Sequence, residues 1–200
     1  GYNILGSNNE VFNEYSVYNH NVDMRYVDID DDTSTYSSSS ADLEIPNPNC
    51  YQIIYAGLYW GAVTGGSESI TEVQLKGPTG VYNDVTGTVI YNADDNITGN
   101  SFPYSCYADV TDIISNLEND LGTYTVANVS SAQGETSSFD PYNGTGYSAG
   151  WSLFIVYEDP TMPGKSITSF DGFSAISSSV NLDVPVSGFR TVPAPAPVRA

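Results

Sequence analysis

Cys50-Tyr51-Gln52-Ile53-Ile54-Tyr55-Ala56-Gly57-Leu58-Tyr59-Trp60 decides the fold class. Apolar residues fill both of the faces that alternate along an extended chain, and β-branched and aromatic side chains dominate. The run is well short of the roughly 20 apolar residues that a membrane helix needs. It reads as a central strand covered on both sides, with Gly57 marking a bulge or the close approach of another backbone. Trp151-Ser152-Leu153-Phe154-Ile155-Val156-Tyr157 has the same character and is closed by Glu158-Asp159-Pro160.

Around these two runs lie shorter segments with period-two alternation, at residues 22–29, 41–45, 70–75, 85–91, 123–129, 166–173 and 180–186, and more weakly at Val11, Tyr15 and Val17. Turn chemistry separates them: Pro46-Asn47-Pro48-Asn49, Gly77-Pro78-Thr79-Gly80 and Asp140-Pro141-Tyr142-Asn143-Gly144. One helix is expected near residues 110–118. Asp109-Val110-Thr111-Asp112 has the form of a capping box, and Val110, Ile113, Ile114 and Leu117 recur at helical spacing. About ten short strands and one helix predict an all-β protein, an antiparallel β-sandwich of jelly-roll-like type. The chain divides into an N-terminal strand segment at 1–21, the sandwich at 22–191, and a Pro/Ala-rich linker or start of further strand at 192–200. The whole reads as a fragment of a larger protein.

Composition narrows the partners. Five Lys and Arg against 24 Asp and Glu give a formal charge of −19, with only 14% of residues charged. The chain is acidic because bases are missing. Nucleic-acid affinity scales with the number of cations set against phosphates, so nucleic acid is excluded as a principal partner, and an anionic membrane repels the chain for the same reason. No run is long enough for a transmembrane helix. Ser, Thr, Asn and Gly lead the polar residues, and 16 tyrosines stand against 7 phenylalanines and 2 tryptophans. Tyrosine suits half-wet strand positions and contact surfaces. The opening Gly1-Tyr2-Asn3 lacks Met and a leader, and reads as the start of a mature secreted chain.

Cys50 and Cys106 fit one disulfide across a long loop, worth about 4 kcal/mol in the chain-entropy model. The alternative is two unpaired thiols, and the signs of secretion favour the bridge. Asp28-Ile29-Asp30-Asp31-Asp32 is the candidate metal site. On an extended backbone Asp28, Asp30 and Asp32 share a side, as a calcium ion seeking six to eight oxygens would require. It is not an EF-hand loop, since Thr33 stands where the turn glycine belongs and Ser39 where the bidentate glutamate belongs. The competing reading is an acidic solvated loop guarding a sheet edge. Asp94-Asp95-Asn96 is a weaker candidate of the same kind.

Catalytic signals are sparse. His20 is the only histidine and sits in a turn composition, which disfavours a Ser–His–Asp arrangement. Among 24 acids any pair of carboxylates can be nominated for glycoside hydrolysis, so that pattern has no specificity. No catalytic residue is assigned. Lys76 and Lys165 are the donors available for a Lys–Asn isopeptide crosslink, and neither reads as buried. Tyr82, Tyr91, Tyr104, Tyr107, Tyr142 and Tyr147 lie near loops and are candidates for a carbohydrate platform, whereas Trp60 and Trp151 read as core.

Several phrases carry a resemblance. In order they are Ser38-Ser39-Ser40-Ala41-Asp42-Leu43, Tyr55-Ala56-Gly57-Leu58-Tyr59-Trp60-Gly61-Ala62, Ala108-Asp109-Val110-Thr111 and Gly122-Thr123-Tyr124-Thr125-Val126-Ala127-Asn128. Ala149-Gly150-Trp151-Ser152-Leu153-Phe154-Ile155-Val156-Tyr157-Glu158-Asp159 and Phe170-Asp171-Gly172-Phe173 complete the set. Over residues 22–192 the chain resembles the N-terminal β domain of secreted Bacteroidota surface proteins, the gliding-motility-associated and adhesin-like cargo of type IX secretion. The resemblance implies a non-enzymatic adhesin or surface-filament domain at the bacterial cell surface. Its implied partners are further domains of the same protein and the secretion machinery. It transfers no ligand residues. The alternative expectation is a glycan-binding module of a secreted polysaccharide-utilising protein, with surface glycans as partners.

Overall fold

The computed structural model describes residues 2–7, 20, 22–66, 68–93, 102–135, 146–174 and 181–188. The expected strand around Val11–Val17, Asp94-Asp95-Asn96, the turn at 140–144 and the Pro/Ala stretch at 192–200 lie outside them.

The described residues form an all-β antiparallel sandwich with one short helix. The strands are β1 (Tyr2–Asn3), β2 (Leu5–Ser7), β3 (Met24–Tyr26), β4 (Ser38–Leu43), β5 (Gln52–Thr64), β6 (Glu72–Lys76), β7 (Asn83–Thr86), β8 (Thr88–Asn92), β9 (Phe102–Asp109), β10 (Gly122–Ala127) and β11 (Ala149–Glu158). Helix α1 (Thr111–Ser115) lies between β9 and β10. One layer is a five-stranded sheet in the order β1-β11-β5-β9-β8; the other is four-stranded, β4-β10-β6-β7; β2 and β3 form a small two-stranded sheet.

The opening run becomes β5, flanked by β11 and β9, and the second apolar run pairs with it throughout. Trp60 stands opposite Trp151 in that register, both almost fully buried. Each indole N–H finds an oxygen, as a buried indole must. Trp60 Nε1 donates to the Ile70 carbonyl (2.9 Å) and Trp151 Nε1 to Ser39 Oγ (2.9 Å), so Trp151 ties the five-stranded sheet to β4 of the other layer. Leu58, Leu75, Val73, Val85, Tyr124 and Val126 from the two layers fill one core with these rings. Ile4 and Leu5 join it, so residues 2–7 belong to the sandwich.

The second face of β5 is covered differently from expectation. It stays partly open to solvent, with Ile54 50% and Phe154 39% exposed, so the expected cover on both sides is not found among the described residues; the sheet's own tyrosines shield it in part. Tyr59 and Tyr107 lie 5.0 Å apart, Tyr55 meets Phe154 edge-on at 6.3 Å, and the Tyr55 and Tyr107 hydroxyls are 2.8 Å apart. Gly57 lies beneath them: a Cβ there would come within 2.7 Å of the Tyr55 hydroxyl. This is the close-approach reading; the bulge on β5 lies elsewhere, at Ile54, where consecutive Val156 and Tyr157 of β11 face Tyr55 and Ile53.

Four sequence expectations change. The single strand at 85–91 is two, β7 and β8, lying in different sheets. The chain crosses between layers at Gly87, where a Cβ would sit 2.2 Å from the Trp60 ring and 2.9 Å from the Tyr107 carbonyl. Strand β9 was not anticipated, and its Pro103 is unusual in a central strand. It is tolerated because Val63, opposite Pro103, uses its N–H for the Ser148 carbonyl and its carbonyl for Ala132 N–H, while β8 reaches only as far as Tyr104. The helix is a single turn with Val110 at its N-cap, and Asp109 accepts the Thr111 N–H (2.9 Å) in place of a capping box. Finally, residues 166–173 and 181–186 are exposed and outside any ladder, so their alternation has no partner strand among the described residues.

The expected disulfide is absent. Cys50 and Cys106 are both free thiols. Cys106 pairs in register with Trp60, and Cys50 precedes Gln52 at the start of β5. At about 3.3 Å per residue the ten steps from Trp60 back to Cys50 hold the Cα atoms of Cys50 and Cys106 far beyond the ~7 Å limit for a bridge. Burial pushes the Cys106 thiol up to about 11, and its Sγ lies 3.4 Å from the Ile70 carbonyl.

Candidate functional site

The outer face of the four-stranded sheet brings together the polar side chains that the core strands point away from it. Along β6 the inward residues are Val73 and Leu75, leaving Glu72, Gln74 and Lys76 outside. Register places Glu72 opposite Thr86, Gln74 between Asp84 and Ala127, and Lys76 opposite Thr125.

The connection from β3 to β4 folds over this face and is tied down at two points. At one, Asp30 pairs with the Lys76 ammonium and accepts the Tyr82 hydroxyl (2.7 Å), with Lys76 Nζ 4.3 Å from the Tyr82 ring centre. Burial raises the Asp30 carboxyl, but the Lys76 and Tyr82 hydrogen bonds outweigh it and hold the pKa at about 2. At the other, Tyr36 N–H donates to Asn128 Oδ1 (2.9 Å), and the Tyr36 hydroxyl meets the Asn128 carbonyl (2.8 Å) and Ser130 Oγ (3.1 Å). Asn128 has a left-handed backbone (φ 63°), which asparagine tolerates better than most residues, and this aims its side chain at the loop.

Between these tethers and β7 lies a groove of about 610 Å³, lined by Tyr36, Ser69, Glu72, Val73, Gln74, Asp84, Val85, Thr86, Asn128 and Ser130. Its polar side chains bond to one another. Gln74 Nε2 donates to Asp84 Oδ1 (2.9 Å), Asn128 Nδ2 to Gln74 Oε1 (3.5 Å), and Ser69 Oγ to Glu72 Oε2 (3.2 Å). Behind Tyr36 the Tyr26 ring packs at 4.9 Å.

The expected calcium cluster takes another form. The backbone is not extended through Asp28–Asp32: Asp31 is left-handed (φ 52°) and Thr35 N–H closes a turn onto the Asp32 carbonyl (3.0 Å). Asp28 and Asp30 converge on the Ser38 hydroxyl (2.7 and 3.2 Å), whereas Asp32 turns to the N–H and hydroxyl of Ser34 (2.9 and 2.7 Å). The cation beside Asp30 is Lys76. Calcium bound by all three carboxylates would have to displace that ammonium and rotate Asp32 away from Ser34, so the residues present do not fit the ion in this arrangement. Lys76 also faces a carboxylate held ionised, unlike the neutral amine–amide encounter that an isopeptide requires.

The candidate platform tyrosines scatter. Tyr104 is core, Tyr82 serves Asp30, Tyr91 stacks on Phe173 at 4.1 Å, Tyr147 packs against the core, Tyr107 belongs to the outer aromatic row of the five-stranded sheet, and Tyr142 lies outside the described residues. Tyr36, which the groove does use, was missed; its isolation as the single aromatic in a Ser/Thr/Asp loop was the available signal. Trp60 and Trp151 are core, as expected.

No protein-family model matches the chain, and comparison with curated proteins and with solved structures finds no match. Among the described residues no helix is long and apolar enough to cross a membrane.

Proposed function

We propose that the chain is a non-enzymatic contact domain of a secreted bacterial surface protein, an adhesin or surface-filament component, and that contact is made through the outer face of the four-stranded sheet. The groove there carries the reading. Its walls are fixed before a partner arrives, since Tyr36, Asn128, Gln74 and Asp84 form one hydrogen-bonded chain. Preorganised side chains lose less entropy on association, which is what a recognition surface needs. The charge of −19 fits a display role in which a tyrosine-rich surface stays soluble outside the cell.

The test is cell attachment by a strain whose parent gene carries Gln74→Ala together with Asp84→Ala, compared with wild type and with a deletion strain. Attachment should fall toward the deletion level while surface display of the protein is unchanged. Full attachment by the displayed double variant would contradict the reading.

A further inference from the structure

The ligand of the groove follows from which chemical groups line it and which do not. Glu72 and Asp84 supply carboxylates, Gln74 and Asn128 amides, and Ser69, Thr86, Ser130 and Tyr36 hydroxyls. No lysine or arginine is among these lining residues, and the nearby Lys76 is held by Asp30 and Tyr82. An anionic ligand would therefore enter an acidic groove with no positive partner, against the field of a chain of charge −19. Phosphorylated, sulfated and uronic-acid ligands are disfavoured on that ground.

A cationic peptide is the natural competitor. Arginine recognition rests on a carboxylate that offers both oxygens to the guanidinium fork. Here Asp84 already accepts Gln74 through Oδ1, and Glu72 already accepts Ser69 through Oε2. Each carboxylate is thus partly engaged by a neutral neighbour, and six of the eight polar residues lining the groove are uncharged amides and hydroxyls, which suit a neutral ligand better than a cationic one. A sugar's adjacent hydroxyls also both donate and accept, so they suit a lining of this kind. The ring of Tyr36, a residue 46% exposed, gives its C–H face apolar contact beside the polar groups. The volume, about 610 Å³, falls within the range of about 300–1,000 Å³ usual for small-ligand sites.

We propose that the groove binds a neutral glycan segment, with Gln74, Asp84 and Asn128 fixing hydroxyls and Tyr36 forming the wall against a sugar ring. The proposal rests on the contact-domain reading and gives that contact a chemistry.

The experiment presents the 200-residue chain to a broad array of neutral, uronic-acid and sulfated oligosaccharides and to an Arg-rich peptide, then titrates the hits calorimetrically. Neutral glycans should bind, and acidic ones should not. Gln74→Ala and Tyr36→Ala should each weaken binding about tenfold, the loss expected when one polar partner or one stacking ring is removed. Thermal melts of each variant identify loss of folding, and Asp84→Asn, which keeps the side-chain shape, serves if Gln74→Ala is unfolded. Binding of the Arg-rich peptide in preference to every glycan would overturn the proposal, as would the absence of any neutral hit. If attachment nevertheless depends on Gln74 and Asp84 while no glycan binds, the contact-domain reading survives and the glycan does not. If attachment is also indifferent to them, both fail.

Discussion

The two outer faces of the sandwich solve the same problem in opposite ways. On the five-stranded sheet Tyr55, Tyr59, Tyr107 and Phe154 turn outward and pack on one another, with Gly57 kept bare beneath them. Hydrogen bonding between tyrosine hydroxyls finishes that surface, and burial followed by the Tyr107 bond raises Tyr55 to about 12. On the four-stranded sheet the outward residues are Glu72, Gln74, Asp84 and Thr86, and the loop carrying Asp30 and Tyr36 encloses a groove above them. The first face spends its side chains on stability. The second holds polar groups outside the core, and the proposed contact is assigned to it on that ground.

That contrast can be broken by substitution. Tyr107→Ala removes a ring from the aromatic row and a hydroxyl partner from Tyr55, and should cost about 2 kcal/mol in chemical denaturation. Gln74→Ala, on the other face, should cost no more than about 0.5 kcal/mol. Equal costs would erase the distinction between a structural and a spare face.

The tether at Asp30 should give a smaller, pH-dependent effect. Its folded pKa, about 2, lies below the ordinary 3.8, so the stabilisation is complete above pH 4 and is lost as the pH falls toward 2. Allowing for solvent screening of a partly exposed pair, Asp30→Asn should cost about 1 kcal/mol at neutral pH. The difference between variant and wild type should then close between pH 4 and 2. A difference that persists unchanged at pH 2 would show that the Lys76 pair is not its source.

Two treatments should do nothing measurable to the melting temperature. Excess calcium against chelator should leave it fixed, because Lys76 already neutralises Asp30; a rise in calcium would restore the three-aspartate site. Reductant should leave it fixed as well, and a thiol reagent should label Cys50 in the native protein but Cys106 only after unfolding.

Strands β5 and β11 were legible in the sequence because both of their faces are apolar, and no other short element satisfies that pattern. Strand β9 was not: its Pro103 is unusual in a central strand, and the neighbouring hydrogen bonds of Val63 that accommodate it are not visible in the sequence. The break between β7 and β8 is equally invisible: Gly87 reads as an ordinary strand glycine until the Trp60 ring is placed against it. Residues 166–173 mislead in the other direction, since alternation states a capacity to pair and cannot supply the partner. The groove lay furthest out of reach. Its parts come from residues 36, 69–74, 84–86 and 128–130, and only the sheet register and the tethered loop bring them to one place. Sequence spacing suggested three aspartates on one side at 28, 30 and 32; a left-handed Asp31 sends the third to Ser34.

The most direct test of a contact face opposed to a structural face is an amide chemical-shift titration with a neutral oligosaccharide taken from the array. Shifts confined to residues 36, 72–74, 84–86 and 128–130 are the expected result. Shifts centred on Tyr59, Tyr107 and Phe154, with the groove silent, would contradict the account.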